Sequence, residues 1–189
     1  MKKSLGAKPF ALPAPVWTVG AYDLDGKPNA MIAAWGGICC SDPASVCVAI
    51  RESRHTYPGI IERGAFTVSV CSQDQAEQAD YLGIASGKDV DKFAKTGLTP
   101  VRGEFVDAPY VQEFPAVIEC ELSEKVNLGM HMLLVGKIRD VKVDDDKLLD
   151  GKFPDIEKIR PLVFTPGART YHGVGELAGK AFECGLKYK

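Results

Sequence analysis

Val16-Trp17-Thr18-Val19-Gly20-Ala21-Tyr22, then Asp23-Leu24-Asp25-Gly26-Lys27-Pro28-Asn29, then Ala30-Met31-Ile32-Ala33-Ala34-Trp35-Gly36-Gly37-Ile38 is the stretch on which the fold turns. The first seven residues are β-branched, aromatic or small, a composition that suits a strand. The middle seven carry an Asp25-Gly26 pair between two apolar runs. That pair is a strong hairpin signal, because glycine reaches positive φ without steric cost. The last nine read as one returning strand. A hairpin at the start sets the expectation of antiparallel pairing.

Outward from this unit the same punctuation recurs. Leu12-Pro13-Ala14-Pro15 is an extended entry, and Ser41-Asp42-Pro43 marks a turn. Val46 to Arg51 reads as a third strand, apolar on both faces. His55 to Gly64 reads as a short helix with Thr56 as N-cap, Pro58 in its first turn and Gly64 as C-terminal cap. Ala65 to Cys71 is a fourth strand, Asp74 to Ala85 a polar, Ala-rich surface helix, and Asp89 to Lys95 a helical turn or two ended by Gly97. Residues 98–115, with three prolines, are expected to be irregular. In Val117 to Glu124, Ile118, Cys120 and Leu122 alternate with Glu119, Glu121 and Ser123, the pattern of a strand exposed on one face. Met130 to Val143 follows as another long strand. Then come a solvated Asp144-Asp145-Asp146 loop, a short strand at Leu162 to Phe164 and a Gly-rich tail over 165–189. Six or seven short strands with two or three inserted helices predict a mainly β chain. They would form a closed or half-closed antiparallel barrel, as a single domain over 1–189.

Composition narrows the function. The chain has 189 residues with 23 basic and 25 acidic side chains, net charge -2, which disfavours a dedicated nucleic-acid binder. Its 19 Gly and 12 Pro are spread along the sequence, which disfavours a helical bundle and fits many turns. No C-x-x-C occurs among the six cysteines. Cys47, Cys71 and Cys120 lie in apolar runs and are expected to be buried, inert thiols, as in a reducing cytoplasmic setting. The longest apolar-plus-Gly stretch, Ala30 to Cys40, falls far short of the ~20 residues a membrane span needs.

Three places could carry chemistry. Small residues between Asn29 and Pro43, with Trp35 among them, could let a flat ligand approach the backbone, or could be an ordinary core strand with a packed Trp. Arg51, Ser53, Arg54, His55 and Thr56 gather where a strand meets a helix. They could clamp a phosphate at the helix N-terminus, or simply be a capped helix with solvated arginines. Lys92 is a further candidate cation, or a surface lysine. His131, after Gly129, sits at an expected barrel rim, where it could face a ligand or serve structure alone. Cys39-Cys40 is read as inert, since a disulfide between neighbours is strained. The three histidines are too far apart in sequence to support a metal site.

On these residues the chain resembles the flavin reductase family with the FMN-binding split-barrel fold. The carriers are N-A-M-I-A-A-W-G-G-I-C-C-S-D-P from Asn29, V-A-I-R-E-S-R-H-T-Y, F-T-V-S-V, D-K-F-A-K-T-G-L-T, G-M-H-M-L-L-V-G-K-I and the tail from Tyr171. They span essentially the whole chain. The resemblance implies a Greek-key split barrel, a homodimer and one non-covalent FMN per subunit near the subunit interface. Asn29, Ala30, Met31, Ala33, Ala34 and Trp35, with Cys39, Cys40 and Ser41, would line the isoalloxazine. Arg51, Arg54, His55, Thr56 and Lys92 would hold the ribityl chain and phosphate, with His131 near the flavin as the candidate catalytic group. Relatives that use NAD(P)H often have Gly-Asp-His where this chain has Gly129-Met130-His131. Electron transfer between protein partners is therefore the first functional expectation and NAD(P)H:flavin oxidoreduction the second. A non-flavin split-barrel sensor or haem-handling protein is the remote alternative.

Overall fold

A computed structural model describes residues 1–189, and seven strands in it form one antiparallel sheet. They are β1 (Trp17–Tyr22), β2 (Pro28–Ala33), β3 (Gly36–Ser41), β4 (Ala44–Ile50), β5 (Ala65–Val70), β6 (Ala116–Asn127) and β7 (Met132–Val143). Their spatial order is β2-β1-β5-β6-β7-β4-β3. Along β5-β6-β7-β4 three strands are linked in sequence to their neighbours, and β4 lies beside the last of them, a Greek-key arrangement. The sheet curls until β2 approaches β4, closing a barrel around Val19, Val46, Val48, Ile50, Phe66 and Leu134.

The β1–β2 hairpin forms where Asp25-Gly26 predicts it. Gly26 has φ of 79°, and the Asp23 carboxylate accepts the N–H groups of Asp25 at 3.0 Å and Lys27 at 2.8 Å. The returning strand is shorter than expected. Ala30 to Ile38 is not one strand: it breaks at Ala34-Trp35, and the chain crosses from β2 on one edge of the sheet to β3 on the other. Both halves satisfy the same strand-like composition, so only the tertiary crossover separates them.

Three helices cover the β2 edge and the barrel mouth: α1 (Thr56–Arg63), α2 (Ala76–Ile84) and α3 (Lys92–Thr96). Gly64 and Gly97 are the C-caps of α1 and α3, as expected. Thr56, however, is not the cap of α1. His55 holds that position, and Thr56 is the first helical residue, 1% exposed. A second apolar cluster, with Val16, Ala30, Leu82, Phe93 and Phe114, fills the space between α2, α3 and the sheet.

Residues 98–115 contain a short antiparallel ribbon, Pro100–Arg102 against Pro109–Val111. Its connecting loop folds over β6 and reverses another expectation. Glu119 is 0% exposed, because its carboxylate accepts the N–H groups of Glu104, Phe105 and Val106 and pairs with Lys142 at 2.8 Å. All six cysteines are free, and burial pushes the thiols of Cys71 and Cys120 up to about 12. No helix is long and apolar enough to cross a membrane.

Candidate functional site

The helix that follows β4 turns its N-terminus back toward β2, and four sequence-distant segments meet there. A cavity of about 60 Å³ is lined by Asn29 and Met31 of β2, Ser53 to Thr56 at the start of α1, Leu82, Gly83 and Ala85 to Gly87 at and after the end of α2, and Lys92 of α3. Asn29, Met31, Arg54, His55, Thr56 and Lys92 of the expected site residues thus share one space. Arg51, exposed, stays outside it.

The donors in this cavity are arranged by the chain itself. Asn29 Nδ2 donates to Thr56 Oγ1 at 2.7 Å, which leaves the threonine hydroxyl hydrogen free to donate elsewhere. The backbone N–H groups of Ser53, His55 and Thr56 find no backbone acceptor, as the opening turn of a helix requires. His55 Nε2 lies 3.2 Å from Asp23 Oδ2. Burial works against the Asp23 carboxylate, but the Lys27 N–H, the His55 ring and the Asp25 N–H outweigh it and hold its pKa below the ordinary value.

Lys92 is more than a surface cation. It is 5% exposed, and its Nζ donates to Ala30 O and Leu82 O, each at 2.8 Å. It ties the middle of β2 to the carbonyl end of α2, with one of its three N–H groups left over. Burial, followed by repulsion from Arg54, lowers its pKa to about 8. The Ala30 carbonyl is therefore engaged.

His131 stands just before β7, whose first residue Met132 pairs with Ile50. That register brings the ring toward the β4–α1 junction. Burial first, then Arg51 and Arg54, lowers its pKa. The remaining expected residues do not join the cavity. Ala30 and Ala33 are buried, and Ala34 lines a separate apolar groove with Ile32, Phe164 and Tyr171. Trp35 is 37% exposed at the crossover, while Cys39, Cys40 and Ser41 are exposed along the β3 edge. Of the small residues in this stretch, Gly36 makes room for the Trp17 ring, which a Cβ there would approach to 2.8 Å, whereas a Cβ on Gly37 would meet nothing within 4 Å. Sequence reasoning passed over Asp23 and the end of α2 with the residues after it, Leu82, Gly83 and Ala85 to Gly87. Their signal was slight: Gly83 and Gly87 flanking Ser86.

A seven-stranded, Greek-key sheet with a polar cavity at one helix N-terminus defines the class. Residues 10–172 match the flavin reductase like domain, and the chain belongs to that family. The structure superposes on flavoredoxin of Desulfovibrio vulgaris (Miyazaki F) with a TM-score of 0.94 and 52% identity, covering 98% of this chain and 100% of that one. Flavoredoxin from Methanosarcina acetivorans gives 0.93 and 30% identity over 100% of both chains. A flavin reductase of Pseudomonas putida is 29% identical over 137 residues, 71% of this chain and 75% of the relative. An Aeropyrum pernix relative, 32% identical over 140 residues, is longer: the match spans 52% of it. The fold is the split barrel of the flavin reductase-like proteins.

Proposed function

We propose that this chain is an FMN-binding electron-transfer flavoprotein of the flavoredoxin kind, working in the cytoplasm as a homodimer of single-domain subunits. The cavity at the start of α1 carries this reading. A flavin mononucleotide ends in a phosphate monoester, which needs N–H and O–H donors and a cation. The free Thr56 hydroxyl hydrogen, the backbone N–H groups of Ser53, His55 and Thr56 that lack a backbone acceptor, the spare Lys92 N–H and the Arg54 side chain supply that set. The flavin ring needs an apolar surface with some backbone groups, and β2 with Met31, followed by Ala34 and Trp35, supports that requirement. In such a complex FMN supplies the redox chemistry, and this chain binds, orients and desolvates it. Asn29 and Thr56 fix the phosphate end, and His131 with Arg51 lies at the neighbouring rim.

Exposed apolar residues support the dimer. Ile38 on the β3 edge is 81% exposed, and Val126, Leu128 and Met130 are exposed at the β6–β7 tip. The Gly-rich tail, exposed from Gly173 onward, is proposed to wrap the partner subunit.

A second reading, NAD(P)H:flavin oxidoreductase, is favoured by one observation. Arg51 and Arg54 stand beside His131, where they could take the phosphates of a nicotinamide nucleotide. One experiment tests both. The purified protein is expected to show a flavin absorbance spectrum, or to acquire one stoichiometrically on FMN titration. Anaerobic NADH or NADPH should leave that absorbance unbleached over minutes. A colourless protein that binds no FMN refutes both readings, and rapid bleaching selects the oxidoreductase.

A further inference from the structure

On the far side of the cavity lies a larger, open polar cleft of about 350 Å³, reached by Asp23, Lys27, Lys88 and Asp91. The cavity and the cleft share Asn29, His55, Gly87 and Lys92 as lining residues. Of these, Gly87 lies hard against Asn29 and His55. A Cβ on Gly87 would sit 2.1 Å from Asn29 Oδ1 and 2.8 Å from His55 Cδ2. The backbone at Gly87 does not itself require glycine, since its φ lies outside the left-handed region. Close approach is the only constraint the structure places on this residue.

We infer that Gly87 is a positioning residue that closes the phosphate end of the site, forming with Asn29 and His55 the wall between cavity and cleft. The inference rests on the FMN reading above and deepens it. By pressing on the Asn29 amide, Gly87 keeps Nδ2 on Thr56 Oγ1 and so leaves the threonine hydrogen for the ligand. Because the wall is closed, the cavity accepts a terminal phosphate monoester. A flavin whose phosphate continues into a second phosphate and a nucleoside would have to displace it. Lys88 N–H to Ser86 Oγ at 3.2 Å, with the N–H groups of Asp89 and Val90 on Ser86 O at 3.1 Å, holds the loop that carries Gly87 in place.

The test titrates riboflavin, FMN and FAD into the full chain freed of flavin, for wild type, Gly87→Ala and His55→Ala, with the melting temperature of each apo protein recorded. Wild type is expected to bind FAD about a hundredfold more weakly than FMN. Gly87→Ala should weaken FMN about tenfold, through the displaced Asn29–Thr56 pair, with riboflavin affinity unchanged. His55→Ala opens the wall from its other side and should narrow the FMN-to-FAD gap about tenfold, which keeps the test alive if Gly87→Ala does not fold. Equal binding of FMN and FAD by wild type overturns the closed wall. An unchanged FMN affinity in Gly87→Ala, or a parallel loss of FMN and riboflavin, overturns the positioning role. If no flavin binds to any of the three proteins, it is the FMN reading itself that fails.

Discussion

Thr56 Oγ1 accepts the Asn29 amide while its own hydrogen stays free, so Thr56→Ala removes one donor from the ligand and one acceptor from Asn29. The expected loss is ~1–3 kcal/mol of FMN affinity, read by fluorescence titration, with Thr56→Ser recovering most of it. Lys92 adds a pH dependence. Burial and Arg54 lower its pKa to about 8. An anion bound beside the ammonium favours its charged form, so binding takes up a proton where the free protein has lost one. FMN affinity should therefore fall as pH rises through about 8, by at most about tenfold per pH unit, and Lys92→Met should flatten the profile. The sign for apo stability is opposite. The folded lysine holds its proton less tightly than the unfolded one, whose value is 10.5, so this group's contribution improves across that interval. At this scale the cluster from Arg51 to Thr56 was legible from residue type as a candidate anion site or a capped helix with solvated arginines. Which members enter the cavity was not, because that depends on where α1 starts, and a one-residue change of cap carries Thr56 from rim to interior.

The alternation in β6 was legible as two faces, yet it misplaced one of them. Period two says that Glu119 and Ile118 point opposite ways; it does not say that the 103–108 loop will fold over the glutamate side. Burial alone would raise the Glu119 carboxyl, but the Lys142 ammonium and the N–H groups of Phe105 and Glu104 outweigh it and hold its pKa below the ordinary value. Lys142 is shared with Asp140 and lies 3.5 Å from Glu104. Glu119→Ala leaves Lys142 to Asp140 and Glu104 but takes the acceptor from three backbone donors, and is expected to cost about 3 kcal/mol, measured as a lowered denaturation midpoint. The carboxylate's contribution is fully present above its unfolded value of 4.5 and is lost as pH falls through the lower folded one. Acid should thus loosen this loop in wild type and change little in Glu119→Ala. The break at Ala34-Trp35 has a similar cause: β2 and β3 are equally strand-like, and only their partners, β1 and β4, pull them apart.

The finished sheet has two edges with unlike fates. β2 lies under α2 and α3, and Lys92 caps its Ala30 carbonyl, whereas β3 presents Ile38, Cys39 and Cys40 to solvent with no helix over them. An uncovered apolar edge invites a partner, so Ile38→Asp is expected to shift the proposed dimer toward monomer in sedimentation velocity. Strand count and antiparallel pairing could be read from the turns. The strand order could not, since contacts such as β4 on β7 join residues more than eighty positions apart, and the Greek key came from the resemblance to known proteins. The β1–β2 hairpin ties these scales together, because Asp23 grips the turn amides of Asp25 and Lys27 with one oxygen and the His55 ring with the other. A ligand that fixes His55 therefore also fixes the first turn of the chain. At a hundred times its dissociation constant such a ligand stabilises the fold by about 2.7 kcal/mol. Part of that protection should be visible far from the ring, as slowed deuterium uptake at the Asp25 and Lys27 amides, so the turn that opens the fold would report whether the site is filled.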